Sequence, residues 1–193
     1  MDERAGLPIL TFGDAGSFEA WLVAQGKGAG GVWLKLAKNG APEPTLSKGA
    51  AIDAALCQGW IDGQLDRFDQ HHWLVRFTPR RPCSKWSQVN RARATELIAE
   101  GRMGPAGLEQ IAAAKADGRW DDAYAPASKA EVPADLSAAL AANSEASAFF
   151  TTLTGANRYA ILYRLGAAKR PDTRARKVAE FVAMLQRGET IHG

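Results

Sequence analysis

The spacing of apolar residues changes period several times along the chain, and each change marks an element. In SFEAWLVAQG (residues 17–26), Phe18, Trp21 and Leu22 fall at i, i+3 and i+4, one buried stripe of a short helix with Ser17 as its cap and Gly26 as its stop. GVWLKLAKNG (residues 31–40) alternates instead. Val32, Leu34 and Leu36 face one way and Trp33, Lys35 and Ala37 the other, a strand ending at an Asn-Gly turn. Ser47 caps an alanine-rich helix over 48–58, and Gly59 is placed to end it in the left-handed region.

Two further strands are predicted over 60–69 and 72–79, joined as a hairpin, with Pro79 and Pro82 ending the second. Ser84 is expected to cap a helix running to Glu100 and closed by Gly101, and a proline-led helix follows over 104–118. Residues 125–132 read as a linker by composition. Everything beyond is helical in pattern: helices near 133–142, from the Asn143 cap to about 153, over 156–168, and over 171–187. The last carries Val178, Phe181, Val182 and Leu185 as its apolar stripe. The predicted fold is α+β, a small antiparallel sheet with packed helices over 1–124, followed by a C-terminal helical subdomain over 133–193.

Composition adds limits. An apolar fraction of 46% and a charged fraction of 23% are those of a globular protein with a real core. The start, MDERAGLPIL, has acids where a signal peptide needs positive charge, and no stretch is long and apolar enough to span a membrane, so a cytoplasmic location is expected. Two cysteines make no disulfide framework, and His71, His72 and His192 lack a metal-ligand spacing, so neither a metal nor a cofactor is expected. Charge is unevenly spread: residues 1–75 hold 6 basic against 9 acidic side chains, 76–102 hold 7 against 2, and 140–187 hold 8 against 3. Such clustering speaks to partners.

The most unusual stretch is FTPRRPCSKWSQVNR (residues 77–91). On a helix starting at Ser84, Trp86, Val89, Ala94, Leu97 and Ile98 share the half that faces the core, and Asn90 and Arg93 fall in the same half. An inward amide and guanidinium are costly unless partnered. Either protein groups satisfy them, or they line a pocket whose ligand brings the negative charge. Asp62, in GWIDGQ, is the carboxylate to test as their partner, and with so many cations nearby it suits an orienting ion pair better than a general base.

Arg80, Arg81 and Lys85 form either a solvated loop or, with the helix N-terminus behind them, a seat for phosphate or carboxylate. Trp73, Phe77 and Trp86 offer faces for stacking bases of a single strand. Arg158, Arg164, Lys169, Arg170, Arg174, Arg176 and Lys177 in the tail are explained in part by helix-end preferences, and otherwise make a basic face for a polyanion. Cys57 reads as a buried hydrophobe and Cys83 as a thiol exposed to lowering by nearby cations. No dinucleotide fingerprint, P-loop, HExxH or nucleophile elbow occurs, and no catalytic residue is assigned.

The segments ALCQGWIDGQ, RFTPRRPCSKWSQVNRARATELIAEGRMGPAGL and LTGANRYAILYRLGAAKRPDTRARKV resemble the YdeI/OmpD-associated, or bacteriocin-protection, family, over about Phe18 to Glu189. The resemblance implies a bacterial protein linked to bacteriocin or antimicrobial-peptide resistance, with no catalytic residues to carry over. It places Trp60, Asp62, Arg80, Ser84, Trp86, Asn90 and Arg93 in the signature motifs. The leading expectation is a binding or protection protein that does no chemistry. Its pocket for a small anionic ligand or phosphate group is expected from Trp60, Asp62, Arg80, Arg81, Ser84, Lys85, Trp86, Asn90 and Arg93. The alternatives are a nucleic-acid-binding protein using both basic segments, and an enzyme on a small anionic substrate using Asp62 or Cys83.

Overall fold

Pairing between distant segments decides the architecture of the first half. In the computed structural model, which describes residues 2–25 and 28–192, the chain divides into two units, one running through Ala123 and one starting at Tyr124. The first unit opens with two strands that the pattern does not announce. β1 (Glu3–Arg4) turns through Ala5 and Gly6, both at positive φ, into β2 (Leu7–Leu10). Helix α1 (Ala15–Gln25) then returns the chain, so that β3 (Val32–Ala37) runs parallel to β2 with Ile9 opposite Trp33. A parallel pair needs such a crossover.

Helix α2 (Lys48–Cys57) leads into the hairpin of β4 (Trp60–Arg67) and β5 (His72–Pro79), and β5 pairs antiparallel with β3. The order is β1-β2-β3-β5-β4. The sheet is therefore mixed and not the antiparallel one expected, because the α1 crossover adds a parallel neighbour at one side. Two helices complete the unit, α3 (Gln88–Ala99) and α4 (Pro105–Ala116). Val32, Leu34, Leu36, Val75 and Phe77 of the sheet pack with Phe18 and Leu22 of α1 and the alanines of α2. A second cluster joins Leu56 and Cys57 to Trp86, Ala94, Leu97 and Ile111.

Two expected caps are corrected. Asp14 serves α1, its carboxylate accepting from the backbone and hydroxyl of Ser17, and those bonds hold it below its ordinary value. The expected stop at Gly26 lies outside the described residues. Helix α3 starts three residues later than expected, because Ser87 and not Ser84 accepts from Asn90 N. Ser84 instead closes a tight turn with Arg81, accepting from Arg81 N and donating its own N–H to Arg81 O. The caps at Ser47 and Asn143 and the left-handed stops at Gly59 and Gly101 are as expected, since each depends on only a few neighbouring residues.

The second unit is helical: a short 3-10 turn (Ala127–Lys129), then α5 (Ala134–Ala141), α6 (Ser144–Thr152), α7 (Gly155–Gly166) and α8 (Pro171–Gln186). Their apolar stripes meet in one core of Leu136, Leu140, Phe150, Ile161, Leu165, Phe181 and Leu185. Asn157, itself buried, grips the backbone of His192 by both its amide nitrogen and its oxygen.

Asp135 on α5 and Arg174 on α8 form a two-pronged ion pair, and Arg174 also donates to Leu165 O. The Arg174 hydrogen bond is the main reason the Asp135 carboxyl lies below its ordinary value. A carboxyl depressed by folding adds stability above its unfolded value, near pH 4, and loses it as pH falls through the folded value. Asp135→Asn is expected to cost less than about 1 kcal/mol at pH 7, because the pair is partly solvated. The gap to wild type should close as melts are taken down through acid pH, and a gap that stays constant would mean the ion pair contributes nothing.

Candidate functional site

The nine residues expected at one site divide between a cleft, an ion-pair network and an exposed loop. Arg93 leaves the site first. Its Nε and Nη2 donate to Asp53 on α2 at 2.8 and 2.7 Å, and its Nη1 donates to Glu96 and Glu100. These bonds raise the guanidinium's pKa, Asp53 contributing most. Among the described residues, Asp62 reaches only Asn90, whose Nδ2 lies 3.5 Å from the carboxylate, at the limit of a hydrogen bond. The cavity expected among Asp62, Asn90 and Arg93 is therefore replaced by two separate contacts. The physical reason is Asp53, a lone acid in the apolar α2 that meets Arg93 where α2 and α3 pack.

Starting α3 at Ser87 also frees Trp86 from the helical wheel. Val89 is 57% exposed and Ile98 39%, so the face of α3 that packs inward is narrow, Ala94 and Leu97. Trp86 is 2% exposed and packs edge-on against Trp120 at 4.9 Å. Its indole Nε1 is buried without an acceptor among the described residues. Arg81 and Lys85 are exposed and Ser84 is half-buried in its turn.

Arg80 is the centre of what remains. It is a charged side chain only 6% exposed, its guanidinium carbon lies 3.6 Å from the centroid of the Trp86 ring, and its Nη1 donates to Lys85 O. The backbone is held as firmly: Arg80 N donates to Gly59 O, tying the end of β5 to the turn between α2 and β4. A guanidinium stacked on an indole directs its N–H groups outward in the plane of the stack.

Arg80 lines a cleft of about 320 Å³, within the range that holds small ligands. Leu22, Trp60, Pro79 and Pro105 make its apolar wall, and Gln58 and Gln110 add amides beside the guanidinium. Trp60 is buried and packs on Trp21. Gln58 donates to Glu19 and is thereby fixed. Gly59, at φ +73°, lies so close to α4 that a Cβ there would stand 2.9 Å from Ala106 O. The cleft thus forms where the α2–β4 turn, the end of β5 and the start of α4 converge. Gln58, Gln110 and Pro105 were not anticipated from sequence. The one available signal was the pair of glycine-marked turns at Gly59 and Gly104.

Cys57 is buried, which pushes its thiol up, and Cys83 is exposed. Among the described residues no three potential ligands gather in a way that holds a metal, and no helix is long and apolar enough to cross a membrane.

Two family models match the chain. One, a domain of unknown function (DUF8412), covers residues 10–110 and so contains every residue of the cleft. The other, described as bacteriocin-protection, YdeI or OmpD-associated, covers residues 129–188, which take in α5 to α8. No curated protein and no solved structure matches. The chain therefore belongs to the DUF8412 family through its sheet-bearing unit, and its helical unit carries the match to the YdeI/OmpD-associated, bacteriocin-protection model.

Proposed function

We propose that this is a non-catalytic binding protein, cytoplasmic and serving a protective role of the kind the second family's description names, whose first unit accepts a small anionic ligand in the Arg80 cleft. The observation that carries the reading is a nearly buried guanidinium lining a cleft that is otherwise mostly apolar. Burying a charge is costly, and a counter-charge arriving with a ligand lowers that cost. The mixed lining favours a ligand with an apolar body and an anionic head over a bare ion.

Benzoate is a suitable probe, having both parts. It should bind and shift the fluorescence of Trp60 and Trp86, which flank Arg80. Arg80→Gln should weaken it roughly tenfold or more, the scale of a lost charge-assisted hydrogen bond. Binding unchanged by Arg80→Gln, or a flat titration with benzoate, sulfate and phosphate alike, would remove the cleft from consideration.

Nucleic-acid binding through both basic segments has less to rest on in the first of them. Arg93 and Arg102 are bound to acids, Arg91 donates to a backbone carbonyl, and Arg80 is buried. For an enzymatic reading built on Asp62, the side-chain hydrogen-bond partner among the described residues is the Asn90 amide, which is neither an acid nor a base.

A further inference from the structure

Of the seven cations between Arg158 and Lys177, Arg158 lies over the Phe150 ring, Arg174 is bound to Asp135, and Arg176 reaches Glu180 at 3.7 Å. The remaining four, Arg164, Lys169, Arg170 and Lys177, line a single hollow of about 380 Å³ where α7 ends and α8 begins. Arg164, Arg170 and Lys177 make no ion pair or side-chain hydrogen bond among the described residues.

Bringing like charges together around a concavity is unfavourable. Helix-end preference accounts for Arg164, in the last turn of α7, and for Lys169 and Arg170, which follow its C-terminus, but Lys177 lies in the second turn of α8, where the helix dipole does not favour a cation. The α8 N-terminus carries no side-chain cap, and the Thr173 side chain lines the same hollow. Asp172, the one acid between Lys169 and Lys177, is exposed and is not among the lining residues.

We propose that this hollow binds a compact, multiply charged phosphate group, held by Arg164, Lys169, Arg170 and Lys177. Four converging cations are not neutralised by one carboxylate, whereas a di- or triphosphate brings several charges into one small volume. Arginine forks and lysine point charges are the side chains that meet phosphate oxygens. Convergence on a hollow, from two helices, also favours a compact anion over an extended backbone, which needs its cations spread along a track.

The full chain titrated calorimetrically with inorganic tripolyphosphate tests this. All six tryptophans precede residue 121, so a heat signal is needed where their fluorescence would not report. Arg170→Gln with Lys177→Gln removes two of the four cations, and affinity should drop roughly a hundredfold, about tenfold for each. Arg176→Gln removes the same kind of charge from outside the hollow and should change affinity by less than about twofold, the distant charge being screened. Arg80→Gln should leave tripolyphosphate binding as it is, which separates this site from the cleft. Equal losses from Arg176→Gln and the double variant would mean diffuse attraction and overturn the site, as would no binding at all. A single-stranded oligonucleotide that binds more tightly than tripolyphosphate, and is lost in the double variant, would overturn the compact ligand in favour of an extended one.

Discussion

Gly107→Ala is expected to destabilise the first unit by about 1–3 kcal/mol, the range for overpacking a filled interior. A Cβ at this position would stand 2.4 Å from Met103 Sδ, 2.6 Å from Cys57 O and 2.7 Å from Leu56 O. The methionine can swing aside. The two carbonyls cannot, because they belong to the end of α2, so α4 must move away from α2 to admit a single methyl group. That shift also draws Pro105 and Ala106 away from Gly59 and opens the cleft, and benzoate affinity should fall with stability. Gly49→Ala is the control, since a Cβ in its place meets nothing within 4 Å and the residue sits inside α2. There the same change should be neutral or stabilise by up to about 1 kcal/mol through helix propensity. Urea titrations of both variants would show opposite shifts of midpoint, and equal shifts would mean that the contact between α2 and α4 is not tight.

Trp86→Ala should have the largest effect on the site, costing about 3–5 kcal/mol as a large-to-small change in a core. Beyond the cavity, it takes away the ring on which Arg80 lies, so that the guanidinium is no longer aimed at the cleft. Trp86→Phe separates the two losses. Phenylalanine keeps an aromatic face for Arg80, and it deletes an indole N–H that is buried without an acceptor among the described residues. An unmatched buried donor carries a penalty of about 1–3 kcal/mol, so its removal offsets part of the lost packing. The phenylalanine variant should therefore lose less than about 2 kcal/mol and keep benzoate affinity within a few-fold. Wild-type affinity in Trp86→Ala would show that the stack does not orient Arg80, and the cleft would need another account.

The two phosphate- and anion-directed readings are physically independent. The Arg80 cleft lies wholly within the residues matched by the domain of unknown function, and the cationic hollow lies wholly within those matched by the bacteriocin-protection model. Each is lined by residues whose substitution leaves the other unit's core untouched, so one can fail while the other stands.

Ser84 and Ser87 show where local reading stops. Both are serines ahead of a helical pattern, and either satisfies the rule for a cap. Burial of Trp86 in the α3–α4 cluster settles the choice, because Trp86 reaches that cluster from the extended segment before α3. Arg93 makes the same point for a charge. The wheel that turned it inward was close to right, but its partner, Asp53, is 40 residues away and carries no mark in the sequence. Asp62, nearer in motif and more prominent, meets the Asn90 amide.

What the sequence determined by itself is everything set by neighbours within about one turn: the caps at Ser47 and Asn143, the stops at Gly59 and Gly101, the hairpin after Trp60, and the stripes that make the second unit helical. Helix and strand periods and cap geometry are short-range, so they can be read in line. Only the tertiary structure decided that β2 lies parallel to β3, that Arg93 belongs to Asp53, and that Gly59, Arg80 and Gln110 enclose one cleft. Those outcomes depend on which distant surfaces bury each other, and a one-dimensional pattern holds no record of that choice.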